Sequence, residues 1–97
     1  MNWLVYLLRC SDGSLYCGVT NNIEKRIAKH STGKGAKYTR SRLPVELVWR
    51  SSGTDKSTAH KAEYYIKQCT KREKEDLTLG SGYLNKALLK NFGIVNG

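Results

Sequence analysis

The sequence predicts an α+β fold: a small three-stranded antiparallel sheet flanked by helices, in the order β-β-α-β-α-α-α. Three observations predict it. Two short apolar runs meet at Asp12-Gly13, which is a hairpin signal. A third run, "PVELVWR" over Pro44–Arg50, alternates apolar and polar residues. The remaining segments place apolar residues at helical spacing between capping residues. Strands first and helices mostly after them make an α+β layered domain. At 97 residues, the span 1–97 reads as a single domain, able to bury a modest core without disulfides or metals.

The first strand is "WLVYLLRC", Trp3–Cys10, and the returning one is "SLYCGVT", Ser14–Thr20. Their turn has two readings. A two-residue loop at Asp12-Gly13 would point Tyr6 and Tyr16 to opposite faces. A three-residue loop over Ser11-Asp12-Gly13, with Gly13 left-handed, would put both phenols on one face beside Gly18. Asn22 is a good N-cap for "IEKRIAKH", with Ile23, Ile27 and His30 at helical spacing. "STGKGAKYTRSR", Ser31–Arg42, reads as a basic surface loop with room for a short helix. In the third strand Val45, Leu47 and Trp49 alternate against Glu46 and Arg50. Ser57 or Asp55 caps a helix over Thr58–Cys69 with Ala59, Ala62, Ile66 and Cys69 inward. "TKRE" at Thr70–Glu73 has capping-box form and starts a helix reaching about Leu77. "YLNKALLKNFG" is the last helix, with Leu84, Ala87 and Leu88 inward and Gly93 as its stop.

Seventeen Lys and Arg stand against eight Asp and Glu, a formal charge of +9. Nucleic acid is the first partner this suggests, and an anionic membrane surface the second. No apolar run is long enough to span a bilayer. "MNWLVYLLRC" has no basic leading region and its apolar run stops at Arg9, so a signal peptide is not expected. Cys10, Cys17 and Cys69 follow no metal spacing and read as reduced thiols of a cytoplasmic protein. Zinc on His30 or His60 has little support.

Three residues look out of place. Glu63 shares the helix side of Ala59, Ala62 and Ile66, where a carboxylate must be paired, hydrogen-bonded or bound to a cation. Arg26 lies beside Ile23 and Ile27 at the rim of an apolar stripe, either snorkelling or held to clamp a phosphate oxygen. Gly18 is bare in a strand, as where a phosphate approaches the backbone. In the basic loop, Lys34, Lys37, Tyr38, Arg40 and Arg42 form a candidate substrate-gripping surface, with Tyr38 able to stack on a base.

These pieces resemble the GIY-YIG endonuclease domain, most closely the short stand-alone members and the nuclease domain of the bacterial repair excinuclease, a setting of DNA repair. Leu4-Val5-Tyr6 and Tyr16-Cys17-Gly18 stand at the two name-giving motifs. "RCSDGSLYCGVTNNIEKRIAKH" followed by "GKGAKYTR" is close to the stand-alone members' wording. The resemblance covers residues 1–77 and leaves 78–97 as a C-terminal helical extension. It departs from the family at Leu4, where the first motif has glycine, and at Cys17.

The resemblance implies a metal-dependent endonuclease acting on phosphodiester bonds of DNA. It implies that Tyr6, Tyr16, Arg26, His30 and Glu63 are catalytic, with Glu63 binding one Mg²⁺ or Mn²⁺ ion. Arg26 would stabilise the transition state and Tyr16 would be the general base. A free phenol ionises near pH 10, so such a base needs cations beside it. Tyr6 would orient the water or the phosphate, and His30 would relay a proton or hold a partner. Some members use a late asparagine, for which Asn85 and Asn91 are both available. The alternative function is a non-catalytic nucleic-acid-binding module of the same fold. A monomer is assumed, with no membrane partner and room for a protein partner that supplies specificity.

Overall fold

The opening hairpin sets the frame for everything else. In the computed structural model, which describes residues 2–97, β1 (Leu4–Arg9) and β2 (Leu15–Thr20) are antiparallel. Their turn is the three-residue one. The Cys10 N–H donates to the Ser14 carbonyl at 2.9 Å, the Gly13 N–H donates to the Cys10 carbonyl at 3.0 Å, and Gly13 takes φ +83°. The resulting register sets Tyr6 opposite Gly18 and Leu8 opposite Tyr16. Because side chains alternate, Tyr6, Leu8, Tyr16 and Gly18 share one face, and Val5, Leu7 and Cys17 share the other.

β3 (Glu46–Arg50) pairs with the far side of β1, so the strand order is β2-β1-β3. Its simple alternation does not survive. Leu7 faces Trp49 but Leu8 faces Leu47, so Val48 is the extra residue of a bulge. Leu47 and Val45 therefore pack on the tyrosine face, while Trp49 joins the opposite core.

The caps place the helices. α1 (Ile23–Ser31) starts at Asn22, whose side chain accepts from the Lys25 N–H at 3.1 Å. α2 (Lys37–Arg40) is one turn inside the basic segment. α3 (Lys56–Lys67) is capped by Asp55, which takes the Thr58 N–H at 2.7 Å, so it starts and stops two residues before the expected span. α4 (Lys71–Thr78) carries the Thr70/Glu73 capping box, and α5 (Tyr83–Phe92) ends at Gly93 with φ +67°.

The two faces differ in kind. On one, Val5, Leu7, Cys17 and Trp49 are buried with Ala59, Ala62 and Ile66 of α3, Leu77 of α4, and Leu84 and Leu88 of α5. The tyrosine face has a smaller apolar cluster of Leu4, Tyr6 and Leu8, covered by Ile23 and Ile27 of α1 and by Val45 and Leu47. Residues beyond Leu77 are built into the larger core. Ile94 is buried in it, Trp49 Nε1 donates to Asn96 Oδ1 at 2.6 Å, and the Gly97 N–H donates to the Arg50 carbonyl at 2.9 Å. A two-point ion pair from Arg9 to Glu75 ties β1 to α4. Cys10 and Cys17 are buried free thiols, and Cys69 is a half-buried one. Among the described residues, no helix is long and apolar enough to cross a membrane.

The turn offers a clean test. A Cβ on Gly13 would meet nothing within 4 Å, so its only penalty is the positive φ. Gly13→Ala should lower the unfolding free energy by about 1–2 kcal/mol in urea titrations, through the left-handed backbone alone.

Candidate active site

The tyrosine face carries a buried chain of hydrogen bonds. Tyr6 and His30 are both fully buried. The Tyr6 hydroxyl lies 3.0 Å from His30 Nε2, and His30 Nδ1 lies 2.8 Å from Thr39 Oγ1. Thr39, buried as well, donates its one hydroxyl proton to the Ala36 carbonyl at 3.0 Å. It can then only accept from the histidine. His30 is therefore the Nδ1–H tautomer, and its bare Nε2 accepts the Tyr6 O–H. Burial, helped by the Arg26 charge, holds the His30 pKa below its ordinary value, so the ring is neutral near pH 7. Burial also pushes the Tyr6 phenol up to about 12, against the opposing pull of the Arg26 hydrogen bond.

Arg26 projects from α1 to the same point. Its Nε donates to the Tyr6 oxygen at 3.4 Å, and that bond is the main reason its pKa is raised. The Arg26 residue remains partly exposed. It is thus neither a free snorkelling arginine nor a buried one, because its guanidinium is anchored by a phenol and still open to solvent. Tyr16 is the more accessible phenol. Its ring lies 6.4 Å from that of Tyr6 and 5.3 Å from that of His30.

Beyond Tyr16 the aromatic ladder continues into the basic segment. Tyr38 stacks on Tyr16 at 6.0 Å with 27° between planes, and the Arg42 guanidinium sits 3.9 Å above the Tyr38 ring. Arg42 also donates to the Tyr38 carbonyl at 2.8 Å and pairs with Asp12 of the hairpin turn at 3.0 Å. Arg42, expected to grip a phosphate, is held by these contacts while staying partly exposed, and it covers one face of Tyr38, the residue expected to stack on a base. Lys34, Lys37 and Arg40 are exposed, and the last two line a shallow hollow along α2.

Gly18 sits directly under the two phenols. A Cβ there would stand 2.5 Å from the Tyr6 oxygen, 2.6 Å from its ring and 3.1 Å from the Tyr16 ring. The space above this glycine is taken by the Tyr6 phenol, with the Tyr16 ring beside it. Sequence reasoning missed two further positions, Gly35 and Thr39. A Cβ on Gly35 would strike the face of the His30 ring. The only signal for either lay in "GKGAKYT", where the second glycine and a threonine interrupt an otherwise basic stretch.

Glu63 is placed apart. It lies on α3, which covers the opposite face, and its carboxylate pairs with Lys67 at 3.2 Å and stands 3.8 Å from His60 Nδ1. Its charge is felt by Cys17, whose thiol is driven up to about 12 by burial first and by Glu63 second. Among the described residues, no hydrogen bond or ion pair joins Glu63 to Tyr6, Tyr16, Arg26 or His30. No group of three or more His, Cys, Asp or Glu side chains among the described residues could hold a metal. One carboxylate suits only a cation that takes its other ligands from water and substrate. Asn85 donates to the Gly80 carbonyl and Asn91 is exposed, both on α5 away from the phenols.

Two phenols of a short antiparallel sheet, with a guanidinium and an imidazole from α1, thus meet on one face of an α+β domain. Residues 2–76 match the family model of the GIY-YIG catalytic domain, and the chain belongs to that family. It is 58% identical over 71 residues to a UPF0213 protein of Bacillus cereus, covering 73% of this chain and 74% of that one. A UPF0213 protein of Desulfotalea psychrophila is 51% identical over 80 residues, 81% of this chain and 73% of that one. The solution NMR structure of UPF0213 protein BH0048 from Bacillus halodurans matches with a TM-score of 0.53 at 45% identity, over 92% of this chain and 97% of that one. The family makes nuclease-type chemistry on nucleic acid the class of function.

The hydrogen-bond chain makes its own prediction. Nitrogen-15 NMR should find His30 as the neutral Nδ1–H form, titrating below the ordinary imidazole value of about 6.5. The unfolded chain then takes up the proton first, so this group's share of stability is present at neutral pH and lost as pH falls through about 6.5. Thr39→Val, which strands a buried N–H, should cost about 1–3 kcal/mol in denaturant titrations, and Thr39→Ser should recover most of it.

Proposed function

We propose that the chain is an endonuclease that hydrolyses phosphodiester bonds of DNA with one divalent cation, Mg²⁺ or Mn²⁺, held by Glu63. The observation that carries the reading is the meeting of Tyr6, Tyr16, Arg26 and His30 around one point of the β1–β2 face. Each has a distinct part. Arg26, open to solvent yet oriented by Tyr6, donates to a non-bridging phosphate oxygen and stabilises the charge that grows there in the transition state. Tyr16, the phenol that water can reach, first gives up its own hydroxyl proton to solvent and then, as the phenolate beside the Arg26 charge, takes the proton of the attacking water. Tyr6 keeps its own proton on His30, so it orients Arg26 and does not serve as base. When bound, the cation supplies charge neutralisation at the leaving oxygen.

One observation favours the second reading, a binding module without catalysis. Glu63 is neutralised by Lys67 and has no bond to the phenol cluster. The two readings part in a cleavage assay with Mg²⁺ or Mn²⁺ on single-stranded, duplex, flapped and branched DNA and RNA. The nuclease reading expects Arg26→Ala and Glu63→Ala each to lower cutting by about 10²-fold or more, with binding retained. Equal cutting by wild type and Glu63→Ala would sink it, and binding with no cutting by wild type would select the module. The same reading expects EDTA to abolish cutting and added Mg²⁺ or Mn²⁺ to restore it.

A further inference from the structure

Charge is gathered on one side of the molecule more than the site's chemistry requires. Residues 21–44 hold seven of the seventeen Lys and Arg and one of the eight acids. Within that segment Lys25 and Lys29 are one turn apart on α1, and Arg26 is one residue from the first and three from the second. All three line a single hollow of about 200 Å³, whose other walls are Thr20, Asn21 and Asn22 at the end of β2 and the head of α1. Among the described residues none of the three is in an ion pair. Three like charges round one polar recess repel one another, and an anion in the recess relieves that repulsion.

Arg26 is shared between this hollow and the phenol cluster. On the far side of the cluster, Tyr16 stacks on Tyr38, and Tyr38 lines the α2 hollow with Lys37 and Arg40. The order along the surface is therefore Lys25/Lys29, Arg26, Tyr16, Tyr38, Lys37/Arg40. A polyanion laid along this order meets cations on both sides of Tyr16.

We propose that the hollow at the head of α1 is a second phosphate subsite, taking the phosphodiester next to the one presented to Arg26 on the same DNA strand. The inference rests on the nuclease reading for the identity of the polymer, and its test is kept free of cleavage. Binding of a fluorescein-labelled DNA oligonucleotide is followed by anisotropy in EDTA across a salt series. Lys25→Ala/Lys29→Ala should weaken binding about tenfold and reduce the slope of log affinity against log salt by about 1.5, the loss of two phosphate contacts. Lys86→Ala/Lys90→Ala removes the same charge from exposed positions of α5, on the opposite face, and should leave the slope unchanged. Equal slopes for the two double variants, or an unchanged slope for the α1 pair, would overturn the subsite. All four lysines are exposed, so circular dichroism should find both variants folded. A wild type that binds but never cuts, with the slope change confined to the α1 pair, would remove the nuclease reading and leave the subsite standing.

Discussion

A hydroxyl buried away from water must be given partners, and the partners that Tyr6 takes organise one whole side of this molecule. Its oxygen is met by His30 and Arg26 from successive turns of α1. His30 then needs a partner for its second nitrogen, and Thr39 supplies it. That bond, with Gly35 laid on the imidazole face, draws the glycine-rich basic segment down onto the sheet. Tyr38 follows onto Tyr16, and Arg42 returns to Asp12 in the turn where the hairpin began. A segment that reads as a basic surface loop is in this way fastened to the hairpin at several points.

Much of this was legible in the residues. Hairpin, caps and inward stripes were readable because each depends on neighbours within a few positions, as with Asn22, the Thr70/Glu73 box and Gly93. The gathering of Tyr6, Tyr16, Arg26 and His30 was legible only as far as the turn was undecided. One residue more or less between the strands flips a phenol to the other face, and the left-handed Gly13 decides it. The misses have physical causes too. The bulge at Val48 adds one residue to a five-residue strand, which no periodicity can reveal. Gly18 announced a close approach but not its occupant, which is the Tyr6 ring. The role of Thr39 depends on a partner nine residues away whose ring nitrogens sequence cannot assign. For the last twenty residues the inward stripe of Leu84, Ala87 and Leu88 was legible, but not what it packs against, because those contacts and that of Ile94 are long-range.

The position of Glu63 follows from charge. A carboxylate set among Tyr6, Tyr16 and Arg26 would pair with the guanidinium and leave it nothing to offer a phosphate. On α3 it pairs with Lys67 instead. The same separation suits both readings of the site, since binding and cutting each require the phenol face to be free of competing acids.

The two sides of the sheet divide the physical work. The α3–α5 side is dry and apolar, and supplies most of the buried hydrocarbon that holds so short a chain together. The α1–α2 side spends its interior on phenols, an imidazole and a threonine hydroxyl, which contribute less burial and must be fully partnered. No buried side-chain nitrogen or oxygen among the described residues is left without a partner, so hydrogen bonds offset the desolvation of that polar cluster. The C-terminal helix and tail enlarge the apolar side, and it is this added core that lets the opposite side be polar. A substitution at Leu88 or Ile94 acts on stability first, whereas one at Thr39 or Gly35 acts on the orientation of His30, and through it on Tyr6 and Arg26. Residues distant from the phenols in sequence and in space are thus what allow the phenols to be there.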